Sequence, residues 1–220
     1  MGIFRIVLWS LVVLAGLGLG YLLVLQREDD DSSFAERNAK SEAEARAAIG
    51  GPFELVTHTG EPVTEESFEG RYRLMYFGYT YCPDVCPTDL SYMASTLDRL
   101  GESAPSVAAA IDPLFVTVDP ERDTQAVMAD HVARLHPRLV GLRGTPAQTK
   151  SILKSYRVYA QKAPYDGEGD PAVDYLVNHS AYIYLFGPDG KLITFFDHAT
   201  PPSEMVAALM EKVKPGQAGT

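Results

Sequence analysis

The stretch from Leu74 to Leu100 constrains the fold of this chain more than any other. Leu74-Met75-Tyr76-Phe77 is a short, unbroken apolar run closed by Gly78, the pattern of a buried strand. Leu90, Met93, Ala94, Leu97 and Leu100 recur at helical spacing and predict a helix over roughly 87–100. Between them, in Tyr79-Thr80-Tyr81-Cys82-Pro83-Asp84-Val85-Cys86-Pro87, stand the only two cysteines of the chain. Pro87 suits the first turn of a helix, where a missing N–H costs nothing. Cys86 is therefore expected at or beside a helix N-terminus, whose partial positive charge favours thiolate over thiol. Cys82 lies one loop turn back, close enough to share a ligand with Cys86 or to bridge to it. Two inert, buried cysteines are the alternative; the helix-start position favours a pair able to act.

The front of the chain is of another character. From Ile6 to Leu25 no residue is charged, a run of 20 that as a helix would span about 30 Å, the thickness of a bilayer core. Arg5 precedes it, and Arg27 with Glu28-Asp29-Asp30-Asp31 closes it. A cleaved signal peptide is the rival reading, but the run exceeds a usual signal core and no convincing A-x-A site follows it, so an uncleaved anchor is expected. After Arg27 there are 17 basic residues (19 less Arg5 and Arg27) against 29 acidic ones, a formal charge of −12. Nucleic acid, whose phosphates need Lys and Arg, is not the expected partner. Two cysteines in an exported domain would oxidise to a disulfide unless kept reduced.

Glu28 to Ala48 is polar and reads as a tether, helical from Ala35 to Ala48 if anywhere. Phe53–His58 and Pro62-Val63 flank Thr59-Gly60-Glu61, a hairpin signal. Beyond the cysteines, Leu114–Val118 is another apolar strand, so the long connection implies a parallel βαβ unit. Asp119-Pro120-Glu121-Arg122-Asp123-Thr124 reads as a strand-end turn with Asp123 or Thr124 as helix cap, ahead of a helix carrying Val127, Met128, His131, Val132 and Leu135. Leu139–Leu142 is a short strand, Thr145-Pro146 opens a further helix, and Val158–Ala160 is a possible strand edge. Ala163 to Ala172 is a long polar loop. Ser180–Phe186 and Leu192–Phe196 flank Gly187-Pro188-Asp189-Gly190-Lys191 as a late antiparallel hairpin. A last helix is expected from about Pro202 to Val213, capped by Thr200 or Ser203.

This order predicts an α/β thioredoxin-like sandwich, a mixed central sheet flanked by helices, with an N-terminal β-hairpin extension and one N-terminal transmembrane helix. The expected organisation is a membrane anchor over 1–27, a tether over 28–49, the thioredoxin-like domain over 50–214 and a tail over 215–220.

Three residues between the cysteines, rather than two, permit a disulfide and also suit two thiolates converging on a metal. Two thiolates make an incomplete site, and five histidines are candidates for a third ligand. His58, His131 and His136 read as surface or helix-end residues. His198 ends the second strand of the late hairpin. His179 precedes its first strand, at the turn a thioredoxin-like sheet brings opposite the cysteine loop, and is the preferred ligand. Cys₂His is too few for a closed zinc site. Copper suits soft thiolates with one imidazole, and Cu(I) can be held by three ligands.

The run Phe77–Pro87 resembles the copper-site signature of the Sco/SenC family, as do Thr117–Thr124 and the stretch Asp174–His179. The resemblance covers about residues 50–213 and extends to the N-terminal anchor. It implies a membrane-anchored, thioredoxin-like protein that binds copper, Cu(I) or Cu(II), through Cys82, Cys86 and His179. It also implies a role in assembling the dinuclear copper centre of cytochrome c oxidase, by copper delivery, thiol reduction or both. The implied partners are the copper-accepting oxidase subunit and a thiol reductant or copper donor protein. The implied location is a bacterial inner membrane, spanned once, with the C-terminal domain on the periplasmic side. The family commonly has Asp before the ligand histidine, where this chain has Asn178; a neutral amide cannot supply that charge, which is expected to shift the preferred copper oxidation state. Tyr76, Tyr79 and Tyr81 are expected to pack around the site rather than ligate.

The leading expectation is a metal-transfer protein rather than an enzyme with turnover. A thiol–disulfide oxidoreductase acting on a partner through Cys82 and Cys86 is the second reading, and a redox sensor the third. His179 separates them, because a pure oxidoreductase has no need of it.

Overall fold

The computed structural model describes residues 48–163 and 174–216, with scattered positions before 48. Chain contacts divide it into two units, 1–46 and 47–220. In the first, the described positions Trp9, Leu14 and Gly16–Gly18, then Arg37, Lys40, Ser41 and Glu44–Arg46, are helical. Most of the expected membrane span and tether lies outside the described residues, as does the expected polar loop Ala163–Ala172 apart from Ala163 itself. Among the described residues no helix is long and apolar enough to cross a membrane.

The second unit is built on a seven-stranded mixed sheet. Its strands are β1 (Glu54–Thr57), β2 (Pro62–Thr64), β3 (Tyr72–Gly78), β4 (Ile111–Thr117), β5 (Val140–Arg143), β8 (Ile183–Phe186) and β9 (Leu192–Phe196). Between β5 and β8 in sequence, β6 (Ala160–Ala163) and β7 (Leu176–His179) pair with each other as a separate two-stranded sheet. The large sheet runs β2-β1-β5-β4-β3-β8-β9, with β3, β4 and β5 parallel and the remaining pairs antiparallel. The early hairpin is not an appendage, because β1 pairs with β5 and extends the sheet. Strand β3 is central and buried along its whole length, as its unbroken apolar run requires.

Helix α1 (Val85–Ser103) follows β3, starting before and ending after the apolar spacing alone marks. Cys86, Leu90, Met93, Leu97 and Leu100 form its buried stripe. The short α2 (Pro105–Ala109) leads into β4. Helices α3 (Gln125–Leu135) and α4 (Pro146–Ser155) are capped by Thr124 and Thr145, whose hydroxyls accept from the N–H groups of Val127 and Gln148. Helix α5 (Pro202–Lys212) packs against α1. Neither Thr200 nor Ser203 caps it: the cap is Pro201, and the Thr200 hydroxyl donates to the carbonyl of Asp197.

The segment 160–179 departs most from expectation. A strand at Val158–Ala160 lies two residues later, at β6, and the strand expected from Ser180 begins only at Ile183. His179 is the last residue of β7, opposite Ala160, rather than a turn residue before β8. Within β7 only Leu176-Val177 is apolar, ahead of the polar Asn178-His179-Ser180, too short a run to read as a strand of its own, so β7 leaves no periodic signal.

Candidate metal centre

Three elements build the site. Strand β3 delivers the chain to Gly78 in the centre of the sheet, and the loop 79–84 returns it to the start of α1. Gly78 is required by close approach: a Cβ there would stand 2.8 Å from the Tyr76 ring and 2.9 Å from the Cys86 sulfur. Cys86 is in the first turn of α1 and fully buried; Cys82 precedes the helix and is half-buried. Both are free thiols. The Cys86 N–H points at the Cys82 sulfur, 3.4 Å away. From the other side β7 brings His179, whose Nε2 lies 3.2 Å from the Cys86 sulfur. The three ligand atoms all lie within 4.8 Å of one another.

The imidazole is held in a defined tautomer. Its Nδ1 lies 3.0 Å from the carbonyl oxygen of Ser180, which can only accept, so Nδ1 carries the proton and Nε2 presents a lone pair to the sulfurs. The rings of Tyr76 and Tyr79 meet it edge-on, with centroids 6.1 and 5.8 Å away. These two tyrosines pack and do not ligate. The Tyr79 hydroxyl accepts from the N–H of Val177, tying β7 to the cysteine loop.

The two thiols are electrostatically unlike. A hydrogen bond from Cys86, with further ones from the backbone N–H groups of Asp84 and Cys86, holds Cys82 down to about 3. Cys86 is pushed up, because its proton is shared with the Cys82 thiolate and because it is buried. This reverses the expectation from position alone. The amides at the start of α1 and the Cys86 thiol stabilise charge on Cys82, one turn back, while burial outweighs the helix end at Cys86. Iodoacetamide at about pH 6 is therefore expected to alkylate Cys82 at least about tenfold faster than Cys86. Fragment-ion mass spectrometry of the peptide holding both reads the ratio, and equal labelling would show that the charge is not localised on Cys82.

The other histidines stay apart from the cluster. His198 lies 3.0 Å from the Asp89 carboxylate, which is buried and also accepts from the Ala199 N–H. His58 accepts from the Gly141 N–H. His136 ends α3, buried rather than at the surface, and its Nδ1 accepts from the Arg138 N–H. Asn178 is exposed while its strand neighbour Val177 is buried, so alternation turns it to the face opposite His179. Its neutral amide does not touch the cluster.

Sequence reasoning missed the buried polar residues behind the site. Asp119, Asp123 and Asp89 are 2% exposed or less. The only signal for the first two was a charged run directly after a fully apolar strand; Asp89 had none. A cavity of about 500 Å³ lies to one side, lined by Asp119, Glu121, Lys162 and Val177 among others; none of the three ligand residues lines it.

A thioredoxin-like α/β domain with two thiols and one imidazole converging where β3 meets α1 is a site for a soft metal ion or for thiol redox chemistry. A family model described as SCO1/SenC matches residues 41–214, and the chain belongs to that family. The human mitochondrial protein SCO1 homolog is 38% identical over 167 residues, which is 76% of this chain and 54% of that protein, so this chain spans about half the length of that relative. Among solved structures, Bradyrhizobium japonicum ScoI with copper bound is 41% identical with a TM-score of 0.66, covering 74% of this chain and 99% of that one. Yeast Sco1 with copper bound is 34% identical with a TM-score of 0.67, covering 76% and 88%.

Proposed function

We propose that this chain is a membrane-anchored copper carrier that assists assembly of the dinuclear copper centre of cytochrome c oxidase, with its domain on the periplasmic side of a bacterial inner membrane. The observation that carries the reading is the convergence of Cys82, Cys86 and the bare Nε2 of His179 within 4.8 Å. The donor set fits copper: two sulfurs and an imidazole are soft to borderline ligands, and three of them suffice for Cu(I). Copper here is cargo. The copper-bound relatives support the metal, and the uncharged run Ile6–Leu25 supports the anchor.

Cys82 and Cys86 hold the ion, and His179 adds a nitrogen ligand. With Cys82 ionised, an incoming cation meets one thiolate at the half-buried edge of the site before the buried Cys86 gives up its proton. The recipient is the copper-accepting oxidase subunit, and a thiol reductant or copper donor protein returns the site to its loaded state.

The test has two arms. The reduced full-length chain in detergent should retain one copper per chain after desalting, and a Cys82→Ser/Cys86→Ser variant none. Reporter fusions after Val213 should be active only outside the cytoplasm. Copper uptake independent of the cysteines would end the first part of the reading, and cytoplasmic reporter activity the second.

One observation favours thiol–disulfide exchange as a second reading. Cys82 is the half-exposed thiolate and Cys86 the buried thiol behind it, the arrangement of an attacking and a resolving sulfur. Reduction of a disulfide in an oxidase-subunit peptide by the metal-free dithiol form would support it; His179 would then be dispensable.

A further inference from the structure

The run Asp119–Thr124 reads in sequence as a turn and a cap, and it is both: residues 120–122 turn the chain, the Asp123 N–H donating to the Asp119 carbonyl, and Thr124 caps α3. Its other residues join the two halves of the metal centre. On the thiol side, the fully buried Asp123 accepts from the Thr80 N–H at 3.1 Å and the Thr80 hydroxyl at 2.5 Å, two residues before Cys82, and from the Thr117 hydroxyl. On the imidazole side, Arg122 Nη1 donates to the Tyr175 carbonyl at 2.8 Å, and its guanidinium lies 3.6 Å from the centroid of the Tyr175 ring. The Tyr175 hydroxyl donates to Asp119 at 2.7 Å, and Arg122 Nε donates to the other oxygen of Asp119 at 2.6 Å. The same guanidinium faces Tyr81, next to Cys82, at 5.0 Å. Arg143 holds this loop to β5 by donating to the carbonyls of Asp123 and Pro120.

Strand β7 needs such a clamp, because β6 and β7 share no ladder with the seven-stranded sheet. His179 is tied to β8 through residues 180–182; on its other side the strand is held by its ladder to β6 and, against the cysteine loop, by side chains. Arg122 and Asp119 are 11% and 1% exposed, so the pair that holds it is poorly screened.

We propose that Arg122 is a positioning residue of the metal centre: with Asp119 it clamps Tyr175 and so sets the approach of His179 Nε2 to the Cys86 sulfur. The proposal rests on the copper reading of the site. It accounts for the buried Asp119 and the largely buried Arg122 behind a soft-metal site. A planar, five-donor guanidinium can serve a carboxylate, a carbonyl and a ring face together, which an ammonium cannot.

The test uses the full-length, metal-free dithiol chain and the variants Arg122→Met, Arg122→Lys and Tyr175→Phe. Arg122→Met strands the buried Asp119 charge and can fail to fold; the other two keep the proposal testable. Amide hydrogen exchange in Leu176–His179 is expected to speed up by about tenfold or more, with the core amides of β3 unchanged. Cu(II) affinity, read by chelator competition, is expected to fall about 10- to 100-fold. On a His179→Ala background the same variants should lose less than about threefold, since the clamp acts through that imidazole. Equal losses on both backgrounds, or unchanged exchange in β7, overturn the proposal. If the wild-type chain takes up no copper, the copper reading falls and the exchange measurement alone decides the clamp.

Discussion

His179→Ala is expected to weaken Cu(II) binding by about 1,000-fold or more and Cu(I) binding by only about tenfold. The asymmetry follows from the ligand set. Two thiolates can hold Cu(I) in linear geometry, whereas Cu(II) prefers nitrogen and a higher ligand number. The variant should fold normally, because His179 ends an edge segment, its Nδ1 donating to the neighbouring Ser180 carbonyl and its Nε2 lying beside the Cys86 sulfur. The Cys82–Cys86 disulfide should still form. His198→Ala should leave both copper affinities unchanged, since its partner is Asp89, outside the cluster. Spectroscopic titration of the two variants separates them: loss of Cu(II) binding in His198→Ala but not in His179→Ala would assign the ligand to the wrong histidine.

The second large effect is expected on oxidation. A Cys82–Cys86 disulfide removes both thiolates, so oxidised protein should retain no copper after desalting, and reduction should restore full uptake. Equal uptake by both forms would rule out the dithiol site. The dithiol form also has a defined pH dependence. Cys82 is held down to about 3 from an ordinary value of 9.0. Between those values the unfolded chain binds that proton and the folded chain does not. Stability of the dithiol form therefore rises with pH across this interval, and the contribution is lost as pH falls through about 3. Copper loading at about pH 8 should accordingly release one proton per chain, from Cys86, rather than two. Calorimetry in buffers of different ionisation enthalpy counts them; two protons would mean that Cys82 is protonated before loading.

Much of the domain was legible because burial leaves a pattern in sequence. Strand β3 is buried on both faces and reads as an unbroken apolar run; α1 is buried on one face and reads as a 3.6-residue stripe. The caps at Thr124 and Thr145 are equally local, since one hydroxyl and one N–H three residues on decide them. Cys82 and Cys86 could be found for the same reason: the chemistry lies within one turn of chain. His179 was reachable only by placing the late hairpin beside β3, and even then the strand that carries it went unseen, because β7 is four residues long and half of them are polar.

What the sequence determined by itself, then, is the order of the main-sheet strands and the four longer helices and the cysteine pair at a strand-to-helix junction, all consequences of contacts between residues a few positions apart. The tertiary structure alone decided which sulfur carries the charge, because Cys86 is sealed beneath Gly78 and Tyr76 while Cys82 receives the helix amides. It alone decided that Asn178 faces away from the site, since strand alternation fixes that only once β6 and β7 pair. And it alone gave Asp119, Arg122 and Asp123 their roles. Their partners lie up to 56 residues away, at Thr80 and Tyr175, and a buried charge is explained only by the group that compensates it.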